Sequence, residues 1–236
     1  MKRIMFNHKF GLTRAVLDGR KTMTRRIIPP IEIDWARRGK IKPPISGYKD
    51  GVLWMDLRQV LPDSSPFDYV APKKYQSRYD VGEKIAIAMS YEDAYAYATG
   101  DIDIYTWIDM VERANGGIDY RLLAGRDNKM FTKADLMPFQ ICIKGIKVER
   151  LQDISNEDAM REGVFMYEEP PFCHEYDRYA PWPPYVRPYK YEYSNLRYFG
   201  EARFAFAHLI DRISGRGTWN SNPLVYAYDF ELVKLN

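Results

Sequence analysis

Phe139-Gln140-Ile141-Cys142-Ile143-Lys144-Gly145-Ile146-Lys147-Val148-Glu149-Arg150-Leu151 is the clearest strand in the chain. Phe139, Ile141 and Ile143 take alternate positions and therefore share a face. After Gly145 the apolar phase slips to Ile146 and Val148. A slip at a glycine is how a β-bulge is written in sequence, and a bulge bends its strand. The final stretch, residues 224–235, alternates as cleanly: Leu224, Tyr226, Tyr228, Phe230 and Leu232 on one side. Between these two strands lie two helices. Residues 155–163 open with Ser155 and Asp158 at capping-box spacing, Asp replacing the usual Glu or Gln. Residues 201–213 carry Phe204, Ala207, Leu209, Ile210 and Ile213 on one side.

Upstream, residues 3–6 read as a short strand. Residues 10–18 read as a short helix, with Gly19 placed for a left-handed cap. Residues 22–28 are extended and are stopped by Pro29-Pro30. Residues 29–80 hold many prolines and little periodicity apart from 52–57, which predicts a loop-rich insertion. Residues 85–89 are a buried strand, and 91–98 and 104–113 short helices. Strands and helices mix without regular βαβ alternation. The fold class expected is α+β, in one domain over residues 1–236.

The chain has 236 residues, 46% hydrophobic and 28% charged. That is ordinary for a globular protein and argues against wholesale disorder. No apolar run approaches a membrane span, and Asn7, His8 and Lys9 interrupt the brief apolar start, which argues against a signal peptide. Two cysteines are too few for a disulfide framework, so a reducing, cytoplasmic setting is expected, with no membrane partner. His8, His174, His208, Cys142 and Cys173 lack metal-ligand spacing, and no glycine-rich phosphate loop occurs; no metal or cofactor is implied.

Charge is uneven. Arg14, Arg20, Lys21, Arg25 and Arg26 against Asp18 give one short window +4, in a chain whose total is +3. A local basic patch on a near-neutral body suits an anionic ligand at one place. On an extended strand Thr22, Thr24 and Arg26 face one way, and Lys21, Met23 and Arg25 the other. Lys21 beside the Thr24 hydroxyl would form a nucleophile–activator pair if the turn at Gly19-Arg20 swings it round. A solvated, charged edge strand explains the same residues.

Gly19-x-Lys21-x-x-Thr24-x-Arg26 resembles the ASCH signature Gly-x-Lys-x-x-Glu-x-Arg, and the fuller Gly19-Arg20-Lys21-Thr22-Met23-Thr24-Arg25-Arg26 is similar to phage and bacterial ASCH proteins. Three later stretches fit in order. Val81-Gly82-Glu83-Lys84-Ile85 resembles the family's Gly-Asp strand entry. Residues 148–155 with Ala159, Glu162 and Gly163 resemble its strand-to-helix segment. Trp219-Asn220-Ser221-Asn222-Pro223-Leu224-Val225 resembles the entry to its last strand. The resemblance spans nearly the whole chain and implies a PUA-like β-barrel with flanking short helices, residues 29–80 and 165–199 being insertions. It also implies RNA or a modified nucleoside as partner, in a cleft around Gly19, Arg20, Lys21, Thr22, Thr24, Arg25 and Arg26.

Some small ASCH members hydrolyse the acyl group of acylated cytidine, using a Lys and a Thr at these positions with a Glu from a later strand. That makes an amidohydrolase built on Lys21 and Thr24 an alternative. Counting from Gly82, the acid's position holds Met89 and the preceding Arg becomes Ala88. Amide hydrolysis needs a proton donor for the departing amine, which Met cannot supply. Glu92 is then the substitute, provided the strand has already turned into a helix there. Residues 176–199 interleave Tyr179, Trp182, Tyr185, Tyr189, Tyr191 and Tyr193 with Arg178, Arg187 and Lys190. Trp182 and its neighbours suit base stacking. An arm packed on the body or on a second subunit, in an oligomer, suits them too. The last reading makes the chain a non-catalytic protein-interaction module.

Overall fold

The structure, a computed structural model, describes residues 1–35, 39–49, 51–58, 68–98, 103–166, 189–191 and 199–233. In chain order the elements are β1 (Arg3–Ile4), α1 (Leu12–Leu17), β2 (Met23–Ile27), β3 (Ile33–Trp35), β4 (Gly39–Ile41), β5 (Ile45–Lys49), β6 (Val52–Asp56), β7 (Asp68–Val70) and β8 (Lys84–Ile87). Then come α2 (Tyr91–Ala98), α3 (Ile104–Ala114), β9 (Gln140–Arg150), α4 (Asn156–Arg161), β10 (Val164–Met166), β11 (Tyr189–Tyr191), α5 (Ala202–Ser214), α6 (Thr218–Ser221) and β12 (Leu224–Val233).

The long bulged strand is the spine. β9 and β12 run antiparallel over nearly their full lengths and carry the five-stranded sheet β1-β8-β9-β12-β2. The bulge falls where the apolar phase slips. Asp229 pairs with Gly145 and Phe230 with Ile143, so Lys144 has no partner across the ladder. β1 joins β8 in parallel, and the other ladders of this sheet are antiparallel.

The α+β class holds, but the expected PUA-like β-barrel does not form: among the described residues the sheet is open, with β1 and β2 as unjoined edges. The reason lies at the seam. β1 is two residues long, and the acceptor just beyond it, the Met5 carbonyl, takes a hydrogen bond from Arg26 Nη2 at 2.6 Å. A side chain crosses the gap where a backbone ladder would close the barrel.

The 29–80 stretch is also more ordered than a loop-rich insertion. It holds the β3–β4 hairpin and the antiparallel sheet β5-β6-β7, with Val52–Asp56 as the central strand of the latter. Its prolines fall between these short strands, which hid their pairing from periodicity. Of the 165–199 stretch, residues 167–188 and 192–198 lie outside the described residues, Trp182 among them.

Register divides the main sheet into two faces. On one, Thr24 lies opposite Tyr228 and Arg26 opposite Tyr226, with Ile146 and Val148 beyond them. Residues 71–80 lie across this face. Tyr226 donates to the Tyr75 carbonyl (2.9 Å), Tyr228 shares a hydrogen bond with Ser77 (3.0 Å), and Tyr79 donates to the Arg3 carbonyl (3.0 Å). On the other face, Met23, Arg25, Lys147 and Glu149 look toward α4 and α5, with the Arg25 guanidinium 6.0 Å from the Phe206 ring centre. The core is continuous through both layers, with Ile85, Ile141, Ile143, Leu151, Ala205 and Val225 fully buried.

Candidate ligand site at the sheet seam

The basic window begins at a turn. Gly19 has φ +72°, the left-handed conformation that a glycine adopts without a side-chain clash. Lys21 N–H then donates back to the Ala15 carbonyl, and Thr22 N–H to Arg161 of α4, which fixes where β2 starts. Lys21 enters the interior, 2% exposed. Its Nζ donates to the carbonyls of Met23 (2.7 Å) and Glu162 (2.8 Å) and to Glu162 Oε2 (2.6 Å). Gly163, φ +101°, makes this fit possible: a Cβ there would meet Leu12 at 3.0 Å and Lys21 at 3.7 Å.

Arg25 is buried beside it. Its Nε and Nη2 donate to Glu149 Oε1 at 2.9 and 2.6 Å, Nη2 also to Asp158 at 2.9 Å, and Nη1 to Glu162 Oε1 at 3.2 Å. Glu162 therefore bridges Lys21 and Arg25, one oxygen to each. Lys147 closes the outer side against Asp158 (2.8 Å) and Glu149 (3.0 Å). Burial pulls the Lys21 ammonium below its usual pKa against the attraction of Glu162. Burial opposes the Arg25 charge too, but Glu162 and Glu149 outweigh it and hold its pKa up. Asp158 resists its own desolvation and is held below the usual carboxylate range by Lys147 and Arg25.

Two of the five basic residues of the window, Lys21 and Arg25, thus belong to a compensated ion cluster under α4. A phosphate reaching Arg25 would have to displace three carboxylates. Among the described residues neither Thr24 nor Glu92 bonds to Lys21 Nζ. Thr24 is buried on the opposite face of β2, and Thr22 Oγ1 accepts from Arg161 Nε at 3.0 Å. Arg20 donates to Asp18 at 3.0 Å and lies 5.8 Å from the Phe165 ring. The chain has indeed turned by residue 92: Ser90 caps α2 by accepting from Asp93 N–H at 3.0 Å. Glu92, half-exposed, receives Arg126 Nε at 3.3 Å, while Met89 is 1% exposed in the core.

Arg26 looks the other way, into a cavity of about 310 Å³ at the open seam. Four cations line it: Arg3, Arg26, Lys74 and Arg78. Four tyrosines join them, Tyr75, Tyr79, Tyr226 and Tyr228, and among the described residues no carboxylate lines the cavity. Among the described residues none of the four cations is ion-paired. Arg3 donates to the carbonyls of Thr132 (2.7 Å) and Met130 (3.0 Å), and Arg26 to that of Met5. Lys74 sits 4.7 Å from the Tyr75 ring centre and Arg78 5.7 Å from that of Tyr79. Burial raises the pKa of Tyr79, Tyr226 and Tyr228, so these phenols stay neutral donors at neutral pH.

Arg26 and Thr24 are the predicted residues that face this side. Sequence reading missed Arg3, Lys74, Arg78 and the tyrosines as site residues. The alternation of Tyr226 and Tyr228 was visible, but only register puts them beside Arg26. Glu162 was visible as a motif residue without a role. Among the described residues no grouping of His, Cys, Asp and Glu is arranged to hold a metal ion, and no helix is long and apolar enough to cross a membrane. Compared with known proteins, the chain matches no family model, no curated protein sequence and no solved structure.

Proposed function

We propose that the protein binds a nucleotide, either in RNA or as a free modified nucleoside derivative, in the seam cavity. One observation carries this reading: among the described residues four cations without a carboxylate surround a tyrosine-lined space of about 310 Å³. Ligand sites run from roughly 300 to 1,000 Å³, so the space suits one base with its sugar or phosphate. Unpaired cations converging on a concave surface favour an anion. Tyrosine rings offer faces for a base, and the hydroxyl oxygens of Tyr79 and Tyr226, whose protons go to the Arg3 and Tyr75 carbonyls, can accept hydrogen bonds from its edge. The ASCH-like motif points to the same ligand class and contributes Arg26, while Lys21 and Arg25 hold the strand that presents it.

Calorimetric titration with cytidine, adenosine and their 5′-monophosphates tests the reading. The monophosphates should bind on the order of tenfold more tightly than the nucleosides at low salt, and the gap should shrink as salt screens the cations. Arg26→Ala and Arg78→Ala should each narrow it. Failure of the nucleosides, the monophosphates and a single-stranded oligoribonucleotide to bind at low salt would remove this function.

A further inference from the structure

A second cavity, of about 760 Å³, lies against the first on the same face of the sheet. Ile27, Ile28 and Pro29 line both. Elsewhere the two are separated by an edge-to-face pair of rings, Tyr48 in the larger and Tyr226 in the smaller, with centres 5.7 Å apart. The shared ridge is the end of β2 as it runs out into Pro29-Pro30: Ile27 turns its side chain to the Arg25 face, and Ile28 and Pro29 form the edge between the two spaces.

The two cavities differ in charge. The larger is walled by Pro30, Pro43, Pro44, Ile45, Pro223 and Leu224, among other residues. Among the described residues Arg150 is the one charged residue in its lining, and its Nη1 already donates to the Asn222 carbonyl at 3.3 Å. Proline fixes its own φ, so five prolines in the lining make a stiff, preformed wall. Ser46, Tyr48, Thr218 and Ser221 add hydroxyls, those of Thr218 and Ser221 already donating to the Gly215 and Thr218 carbonyls, so a ligand confined to this space would gain apolar contact but little charge to hold it. Sites normally combine an apolar body with a few placed polar groups. Here the charged groups stand in the neighbouring cavity, across Ile28 and Pro29.

Resting on the nucleotide-binding reading, we propose that the ligand is bipartite: a nucleotide head in the cationic cavity, and a bulky apolar substituent on its base that passes the Ile28-Pro29 edge into the proline-walled cavity. The protein would thus select hydrophobically modified nucleotides over plain ones. The discrimination comes from burial of the substituent, since each buried methylene contributes about 0.8 kcal/mol and a tenfold affinity gain needs about 1.4 kcal/mol.

The test compares CMP with N4-benzyl-CMP, and AMP with N6-benzyl-AMP, by titration against the full chain. In at least one pair the benzyl form should bind roughly tenfold more tightly or better. Gly47 lines the apolar cavity, and a Cβ built on it meets nothing within 4 Å. Gly47→Phe should therefore fill the space and bring the affinity ratio within that pair to about one. Ser221→Phe, from the opposite wall, should do the same and serves if the first variant does not fold. Equal affinities in both pairs would overturn the bipartite ligand while leaving nucleotide binding intact. Loss of binding to all four probes would overturn both. A benzyl gain that survives both filling variants would place the substituent elsewhere and equally overturn the inference.

Discussion

At the scale of single residues, Glu162 holds the ion cluster together. It has one carboxylate and two buried cations, Lys21 at 2.6 Å and Arg25 at 3.2 Å. Removing one partner of a buried pair leaves the other charge uncompensated, at a cost of about 3–5 kcal/mol. Glu162→Ala strands Lys21 outright, whereas Lys21→Met leaves Glu162 still paired with Arg25. Urea denaturation should therefore show Glu162→Ala to be the more destabilised of the two, by about 3–5 kcal/mol relative to the parent chain. Equal or reversed losses would mean that Lys21, not Glu162, is the hub. The Gly19-x-Lys21-x-x-Thr24-x-Arg26 pattern was legible as residues, yet their division into buried cluster and open cavity was not. A strand places neighbours on opposite faces, but only packing decides which face meets a helix and which meets a cavity.

At the scale of elements, α4 couples the cluster to the chain. Ser155 accepts from Asp158 N–H at 3.0 Å, the cap expected from the spacing. α4 carries Asp158 in its first turn and Glu162 at its C-cap, so the helix positions two of the three carboxylates around Arg25. Ser155→Ala should lower stability by about 1 kcal/mol in thermal unfolding. Unchanged stability would show that the Arg25 and Lys147 contacts hold this turn without its cap. The bulge in β9 and the alternation in β12 were readable because half-buried strands write their two faces into the sequence. The strands between residues 29 and 80 were not. β3 and β4 have three residues each, too short for alternation to stand out.

At the scale of the whole molecule, the inner face of the sheet gathers Tyr48, Tyr79, Tyr226 and Tyr228, all with pKa values raised by burial. A phenol whose folded pKa lies above its unfolded value keeps its proton in the native state after the unfolded chain has lost it. The stability it contributes is complete below the ordinary value of 10.0 and is lost as pH rises through the folded value. Lys21 acts in the opposite sense, because its folded pKa is lowered and rising pH relieves the cost of burying its charge. Lys129 and Tyr75 shift in the same sense as Lys21, but Tyr120, Lys2, Lys144 and Lys147 shift with the four phenols, so raised groups outnumber lowered ones and the melting temperature should fall from about pH 10 upward. Tyr228→Phe should make that fall shallower. A melting temperature flat across this range would mean that water reaches the phenols and that the inner face is less closed than residues 71–80 make it.

The sequence by itself determined the α+β class, the two long strands, the bulge at Gly145, the cap at Ser155 and the left-handed turn at Gly19. Each depends on local steric and hydrogen-bonding preferences that act within a few residues. Tertiary structure alone decided that the sheet stays open, because that outcome rests on Arg26 meeting the Met5 carbonyl across 21 positions of chain. It also decided that Glu162, 141 positions from Lys21, neutralises the basic window from beneath. The cationic cavity is of the same kind. Arg3, Lys74, Arg78 and Tyr226 are scattered along the chain, and only strand register and the course of residues 71–80 bring them around one space.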